Sequence, residues 1–126
     1  MIKQKHPNNH EHQIQSAFFQ YISLDPKLKK YRPYIFAIPN GSLRNRIVAM
    51  KLRREGVTKG VADTFVMRPL NGSHGMWIEF KYGKNKLTSS QEEFKRMAIQ
   101  QGYHFVIAYS VIEAINELRK YLNVKS

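Results

Sequence analysis

The clearest alternation of apolar and polar positions in this chain is the run MWIEFK, from Met76 to Lys81. On a pleated strand Met76, Ile78 and Phe80 share one face and Trp77, Glu79 and Lys81 the other, so one face reads as core while the other carries charge. The preceding segment ADTFVM also reads as a strand. Between the two, RPLNGSHG supplies Pro69, Asn71, Gly72 and Gly75 as turn formers and folds the strands back antiparallel. Such a hairpin brings Asp63 beside Glu79.

The remaining elements follow from the same kind of reading. Residues 1–8 are polar, contain Pro7, and are expected to stay loose until Asn8 or Asn9 caps a helix that runs to about Ser23. Glu11, Gln15, Phe18 and Ile22 lie along one face of that helix, so a carboxylate heads an otherwise inward stripe. Glu11 reads equally well as a simple complement to the helix dipole. After the basic loop DPKLKKYRP, the nearly continuous apolar run YIFAIP predicts a buried strand that ends at the turn signal Asn40-Gly41. Ser42 then caps a helix closed by Gly56, with Leu43, Ile47 and Met50 expected on its core face. Downstream of the hairpin, YGKNKLTSS is a loop leading into a third helix, with Thr88 and Gln91 or Ser89 and Glu92 as a capping box. Gly102 ends that helix and YHFVIAY predicts a further buried strand. Ser110 with Glu113 opens the last helix, whose Val111, Ile115, Leu118 and Leu122 form a core stripe.

The predicted order is helix, strand, helix, strand, strand, helix, strand, helix. This order packs as an α/β fold, a mixed sheet with helices on both faces, because the hairpin gives an antiparallel pair and the strand–helix–strand unit a parallel crossover. At 126 residues and 42% hydrophobic content, the chain reads as one domain (1–126) with enough core to fold without staples. No internal repeat, low-complexity tract or linker interrupts it.

Charge narrows the partners. A formal net charge of +12 and a pI near 10.1 point to a polyanion. An anionic membrane is the weaker choice, since no apolar run approaches the ~20 residues of a spanning helix and the start MIKQKHPNNH has no apolar signal core. The absence of cysteine removes disulfides and thiolate metal sites and leaves a cytoplasmic location as the expectation. On the second helix Arg44, Arg46, Lys51, Arg53 and Arg54 are offset only by Glu55, which favours phosphate contact over a merely solvated face; Lys84 and Lys86 add to it from the later loop.

Chemistry gathers at the hairpin. Two carboxylates with a lysine alongside suit a hard divalent cation, because Mg²⁺ takes a few carboxylate oxygens and fills its other positions with water and substrate phosphate. Phosphodiester chemistry is therefore the expectation. A structural ion pair of Lys81 with Glu79 or Asp63 would look the same in sequence. Gln91 follows the inward spacing of Phe94 and Ala98, which aims its amide beneath the helix start; its other reading is a cap alone. His10 and His12 read as surface or phosphate-contacting histidines.

Taken in order, these pieces resemble a VRR-NUC domain, a branch of the PD-(D/E)xK nuclease superfamily with a restriction-endonuclease-like fold. The likeness extends from Glu11 to about Glu113. It is carried by Glu11 with Gln15, Pro39-Asn40-Gly41, Gly56-Val57, Gly60-Val61-Ala62-Asp63, Ile78-Glu79-Phe80-Lys81, Ser90-Gln91 and Gly102-Tyr103. An acid followed at a distance by ExK alone would be weak; the order of all the pieces is specific. Ala62 departs from the pattern, standing where the family usually has proline.

The resemblance implies Asp63 and Glu79 as metal-binding acids for Mg²⁺ or Mn²⁺, with the Phe80 carbonyl as a further ligand. It makes Glu11 an accessory acid and metal-ligand candidate, Lys81 the charged partner of the attacking water, and Gln91 a residue orienting that water. The expected activity is that of a metal-dependent DNA endonuclease acting on branched DNA such as a four-way (Holliday) junction as a homodimer, in a bacterial host cell or encoded by a phage or prophage. Flap, fork or duplex cleavage with replication or repair partners is the nearest alternative, and a non-catalytic basic nucleic-acid-binding protein the rival from another class.

Overall fold

In the computed structural model, residues 9–39 and 46–126 are described. Their hydrophobic pattern yields α1 (Asn9–Leu24), a 3-10 turn (Lys29–Tyr34), β1 (Ile35–Ala37), α2 (Arg46–Arg54), β2 (Thr64–Val66), β3 (Met76–Phe80), α3 (Ser89–Gln100), β4 (His104–Ala108) and α4 (Val111–Leu122). The strands form one sheet in the order β1-β2-β3-β4. The pairs β1/β2 and β2/β3 are antiparallel and β3/β4 is parallel, so the expected mixed sheet with flanking helices is what forms.

The hairpin is held by its turn and its register. Leu70 and Ser73 bridge across Asn71 and Gly72, whose φ angles of 54° and 80° are the left-handed values that an Asn-Gly pair accommodates in a tight hairpin turn. Thr64 pairs with Ile78 and Phe65 with Trp77. The register therefore continues to Asp63 opposite Glu79, as the alternation required.

The two faces of the sheet differ in what they bury. Met76, Ile78 and Phe80 are fully buried and join Val66, Val106 and Ala108 in a core covered by Phe18 and Ile22 of α1 and by Ala114, Ile115, Leu118 and Leu122 of α4. The α4 stripe is the expected one, with Val111 partly buried at its end. Ser110 accepts a hydrogen bond from the Glu113 amide, but the Glu113 side chain turns back to the Tyr109 amide (2.7 Å) rather than to Ser110, so the box closes one residue early. On the opposite face the rings of Phe36, Phe65, Trp77 and Phe105 stand in register across all four strands, and Phe94 of α3 packs edge-on against Trp77.

Three expectations are corrected. YIFAIP is not a buried strand: β1 lies at the sheet edge, and of its residues only Ile35 is buried. Likewise β4 forms the other edge, where burial alternates instead of running continuously. For an edge strand one flank and part of one face meet solvent, which a run of apolar residues cannot reveal. Ile47 and Met50 do not face the core; they are 76% and 47% exposed. Ala49 is buried in their place and Leu52 half-buried, since the side of α2 turned inward carries these two residues to the wall of a cleft. Leu43 and the Ser42 cap lie outside the described residues. Among the described residues, no helix is long and apolar enough to cross a membrane.

Phe18 packs against Phe80 with ring centroids 5.4 Å apart and is fully buried, so it joins α1 to the strand that carries Glu79. Phe18→Ala is expected to cost ~3–5 kcal/mol of folding free energy. A urea melt measures it, with an unchanged slope marking a loss of packing rather than a looser native state.

Candidate active site

β3 and the residue preceding β2 place two acids on the same sheet face, and the surrounding elements close a cleft over them. Its volume is about 600 Å³. Glu11, His12 and Gln15 line it from the first turns of α1, Ala49, Leu52 and Arg53 from α2, Thr58, Lys59 and Gly60 from the turn that follows, and Thr88, Ser90 and Gln91 from the start of α3. Asp63, Glu79 and Lys81 form its floor.

Asp63 is fixed by the backbone of the facing strand: the Phe80 N–H donates to Asp63 Oδ2 at 2.9 Å. Glu79 is 2% exposed. Gln91 Nε2 donates to Glu79 Oε2 at 3.0 Å, while Gln91 Oε1 accepts from the Thr88 N–H at 2.9 Å and Thr88 Oγ1 accepts from the Gln91 N–H. Both readings of Gln91 thus hold at once. One side of its amide closes the capping box and the other reaches the acid, so the helix start and the site are locked by a single side chain.

The electrostatics are those of two acids competing for one environment. Burial is the largest cause that pushes the Asp63 carboxyl above its ordinary range; the Phe80 amide, a hydrogen bond with Glu79 and the Lys81 charge oppose it, while Glu11 adds to it. For Glu79 burial comes first and the Asp63 charge second, and its pKa is raised from 4.5 to about 9. Burial and the neighbouring acid thus act together to favour the protonated form of Glu79. Lys81 is buried beside them, yet among the described residues it makes no ion pair with either acid. Its charge lowers both at longer range, and its backbone N–H donates to Ala108 O at 3.0 Å to extend the β3/β4 pairing.

The donor set suits a hard divalent cation. Glu79 Oε1 is buried and has no hydrogen-bond partner among the described residues, which marks it as an oxygen awaiting a positive charge or a proton. Mg²⁺ and Mn²⁺ take one or two carboxylates and complete their shells with water and phosphate, so Asp63 and Glu79 are the residues that would hold one. Glu11 raises both acids by its charge but stands farther off: among the described residues no three His, Cys, Asp or Glu side chains converge as a ligand set. The contact made by Phe80 is through its N–H.

Of the cations expected at the phosphate, Arg53 lines the cleft, and Lys51, Arg54, Lys84 and Lys86 are exposed outside it. Arg46 is described by its backbone alone, and Arg44 lies outside the described residues. Lys59 and Thr58 also line the cleft and were not anticipated from the sequence. Their signal was their position in the turn just before Asp63. His12, read as a surface or phosphate-contacting histidine, is exposed and lines the cleft as well.

Gly60 sets how closely the elements meet. Its φ is +94°, and a Cβ there would lie 2.5 Å from the Ser90 carbonyl oxygen. Glycine lets the turn before Asp63 press against the first turn of α3, beside Gln91.

The fold defined by this sheet and cleft is restriction-endonuclease-like. It is shared with the solved structure of a VRR_NUC domain protein at a TM-score of 0.77, with 24% sequence identity over 92% of this chain and 90% of that one. No family model matches the sequence, and no curated protein matches it.

Two outcomes follow. Gly60→Ala is expected to cost ~1–3 kcal/mol through the strained φ and the clash with Ser90, read by denaturant melts. For Glu79, a folded pKa above the unfolded one means that the native state binds the extra proton, so its contribution makes the metal-free protein less stable as pH rises from about 4.5 to about 9. Glu79→Gln removes that loss. The variant should exceed wild type by ~1–3 kcal/mol at pH 8 in EDTA and match it more closely at pH 5; parallel pH profiles for the two proteins would contradict the raised Glu79 pKa.

Proposed function

We propose that this protein is a metal-dependent nuclease that hydrolyses phosphodiester bonds in DNA. The observation that carries the reading is the pairing of Asp63 with Glu79 on the floor of a cleft, with Lys81 alongside and one buried Glu79 oxygen that has no hydrogen-bond partner among the described residues. The shared fold of a VRR_NUC domain protein supports it.

In this reading Asp63 and Glu79 hold Mg²⁺ or Mn²⁺, and the bound cation supplies Lewis acidity toward the phosphoryl oxygens and toward water. The chain's own residues do the rest. The Phe80 amide and the Gln91 amide fix the two carboxylates so that neither must reorganise as charge builds up at the phosphorus. Lys81, unpaired with either acid, keeps its positive charge available for the attacking water or the developing oxyanion. Gln91 is tethered at both ends and orients that water only through the Glu79 oxygen that it holds. Arg53 and Lys59 at the rim, with Lys51, Arg54, Lys84 and Lys86 outside it, bind backbone phosphates rather than base edges.

A site built on phosphate contacts selects nucleic-acid shape, so branched DNA such as a four-way junction is the proposed substrate. A homodimer would set two clefts against two strands with matching symmetry. The reading places the protein with DNA in the cytoplasm of a bacterial host.

Labelled four-way junction, flap, fork and duplex DNA are expected to yield metal-dependent products, with the junction cut fastest and EDTA abolishing cleavage. Asp63→Ala should lower the rate by ~10³-fold or more, consistent with the several kcal/mol that a metal contributes to such a step. Tight, salt-sensitive binding without products under Mg²⁺ or Mn²⁺ would instead make the protein a non-catalytic DNA binder.

A further inference from the structure

The segment between β3 and α3 contributes neither acid of the pair, yet it is tied to the first turns of α1 at two points. The ring of Tyr82 stacks on His10 with centroids 4.2 Å apart and planes inclined by 18°. Asn85 Nδ2 donates to Glu11 Oε2 at 3.1 Å. Behind these contacts the segment is itself anchored. The Asn85 N–H donates to Tyr82 O at 3.1 Å around Gly83, whose φ is +63°, and the Tyr109 hydroxyl donates to Asn85 O at 2.9 Å. The Asn85 side chain is thus aimed from a backbone held on two sides.

We propose that Asn85 is a positioning residue for Glu11: it holds that carboxylate at the wall of the cleft, where its negative charge joins those of Asp63 and Glu79 in attracting a divalent cation. The inference rests on the metal-dependent reading above. A glutamate in the first turn of a helix has free rotamers, and a hydrogen bond from an anchored amide removes that freedom. The residue type matters as well. An amide orients the carboxylate without cancelling its charge, whereas a lysine at 85 would neutralise it and an aspartate would repel it. Glu11 reaches the two acids by charge, raising both, which is the effect that an orienting neutral donor preserves.

The test is calorimetric titration of Mn²⁺ into metal-free wild type, Asn85→Ala, Asn85→Lys, Glu11→Gln and the double variant Glu11→Gln/Asn85→Ala, with a thermal melt of each. Asn85→Ala is expected to weaken Mn²⁺ binding by roughly 10-fold, as loss of an orienting partner typically does. Asn85→Lys should weaken it at least as much while melting no lower than wild type, a split that a merely structural contact would not give. In the Glu11→Gln background, Asn85→Ala should cause no further loss. Wild-type affinity in both Asn85 variants would overturn the positioning role while leaving the nuclease reading intact. Failure of the wild type to bind Mn²⁺ at all would overturn both.

Discussion

The register between β2 and β3 is the constraint on which this molecule depends. Because side chains alternate across a strand, a slip of one residue would carry Asp63 away from Glu79 and at the same time turn Met76, Ile78 and Phe80 toward the cleft. The core and the site are therefore specified by the same pairing. The apolar face, fully buried against α1 and α4, gains the free energy that the charged face forgoes. The Asn71-Gly72 turn fixes the count of residues at one end and the Phe80 amide, donating to Asp63, fixes it at the other.

That arrangement has an internal tension. A buried and a half-buried carboxyl group lie side by side with one lysine at longer range, and Glu79 answers by holding a proton well above its ordinary range. The hydrogen bonds present do not relieve this fully, since Glu79 Oε1 keeps no partner among the described residues. Such a pair is poor design for stability and good design for binding a small dication, because what the cation gains is the repulsion that folding has already accepted. The metal-free fold then rests on the opposite face of the sheet, where Phe18 and Phe80 meet.

Much of this was legible in the sequence because it was local. The alternation in MWIEFK gave the two faces of β3, the Asn-Gly pair gave the hairpin, and Thr88 with Gln91 gave the start of α3. What was misread depended on what lies across from a segment. YIFAIP has the composition of a buried strand, yet β1 ends up at an edge because, among the described residues, no further strand pairs beyond it. Ile47 and Met50 have the spacing of a core face, but α2 turns Ala49 and Leu52 toward the cleft, so Ala49 is buried there and the larger apolar residues are exposed. The tie from Asn85 to Glu11 spans 74 positions and has no periodic signature. Only the placement of the β3–α3 segment against α1 reveals it.

Gln91 shows why the site and the scaffold cannot be separated here. Its amide has a carbonyl that accepts and an NH₂ that donates, and the structure uses both: the carbonyl satisfies the Thr88 N–H at the helix start, and the NH₂ satisfies Glu79. A helix start must satisfy its first N–H groups in any case. Once Thr88 and Gln91 do so reciprocally, the donor end of Gln91 is fixed in space without further cost in side-chain freedom, and Gly60 allows the turn before Asp63 to close against the same helix start. Glutamate at position 91 could also complete the capping box, but it would bring a further acid beside Asp63 and Glu79, whose carboxyls burial has already pushed up. The amide is thus the one group that caps the helix and holds Glu79 without raising the electrostatic cost of the site.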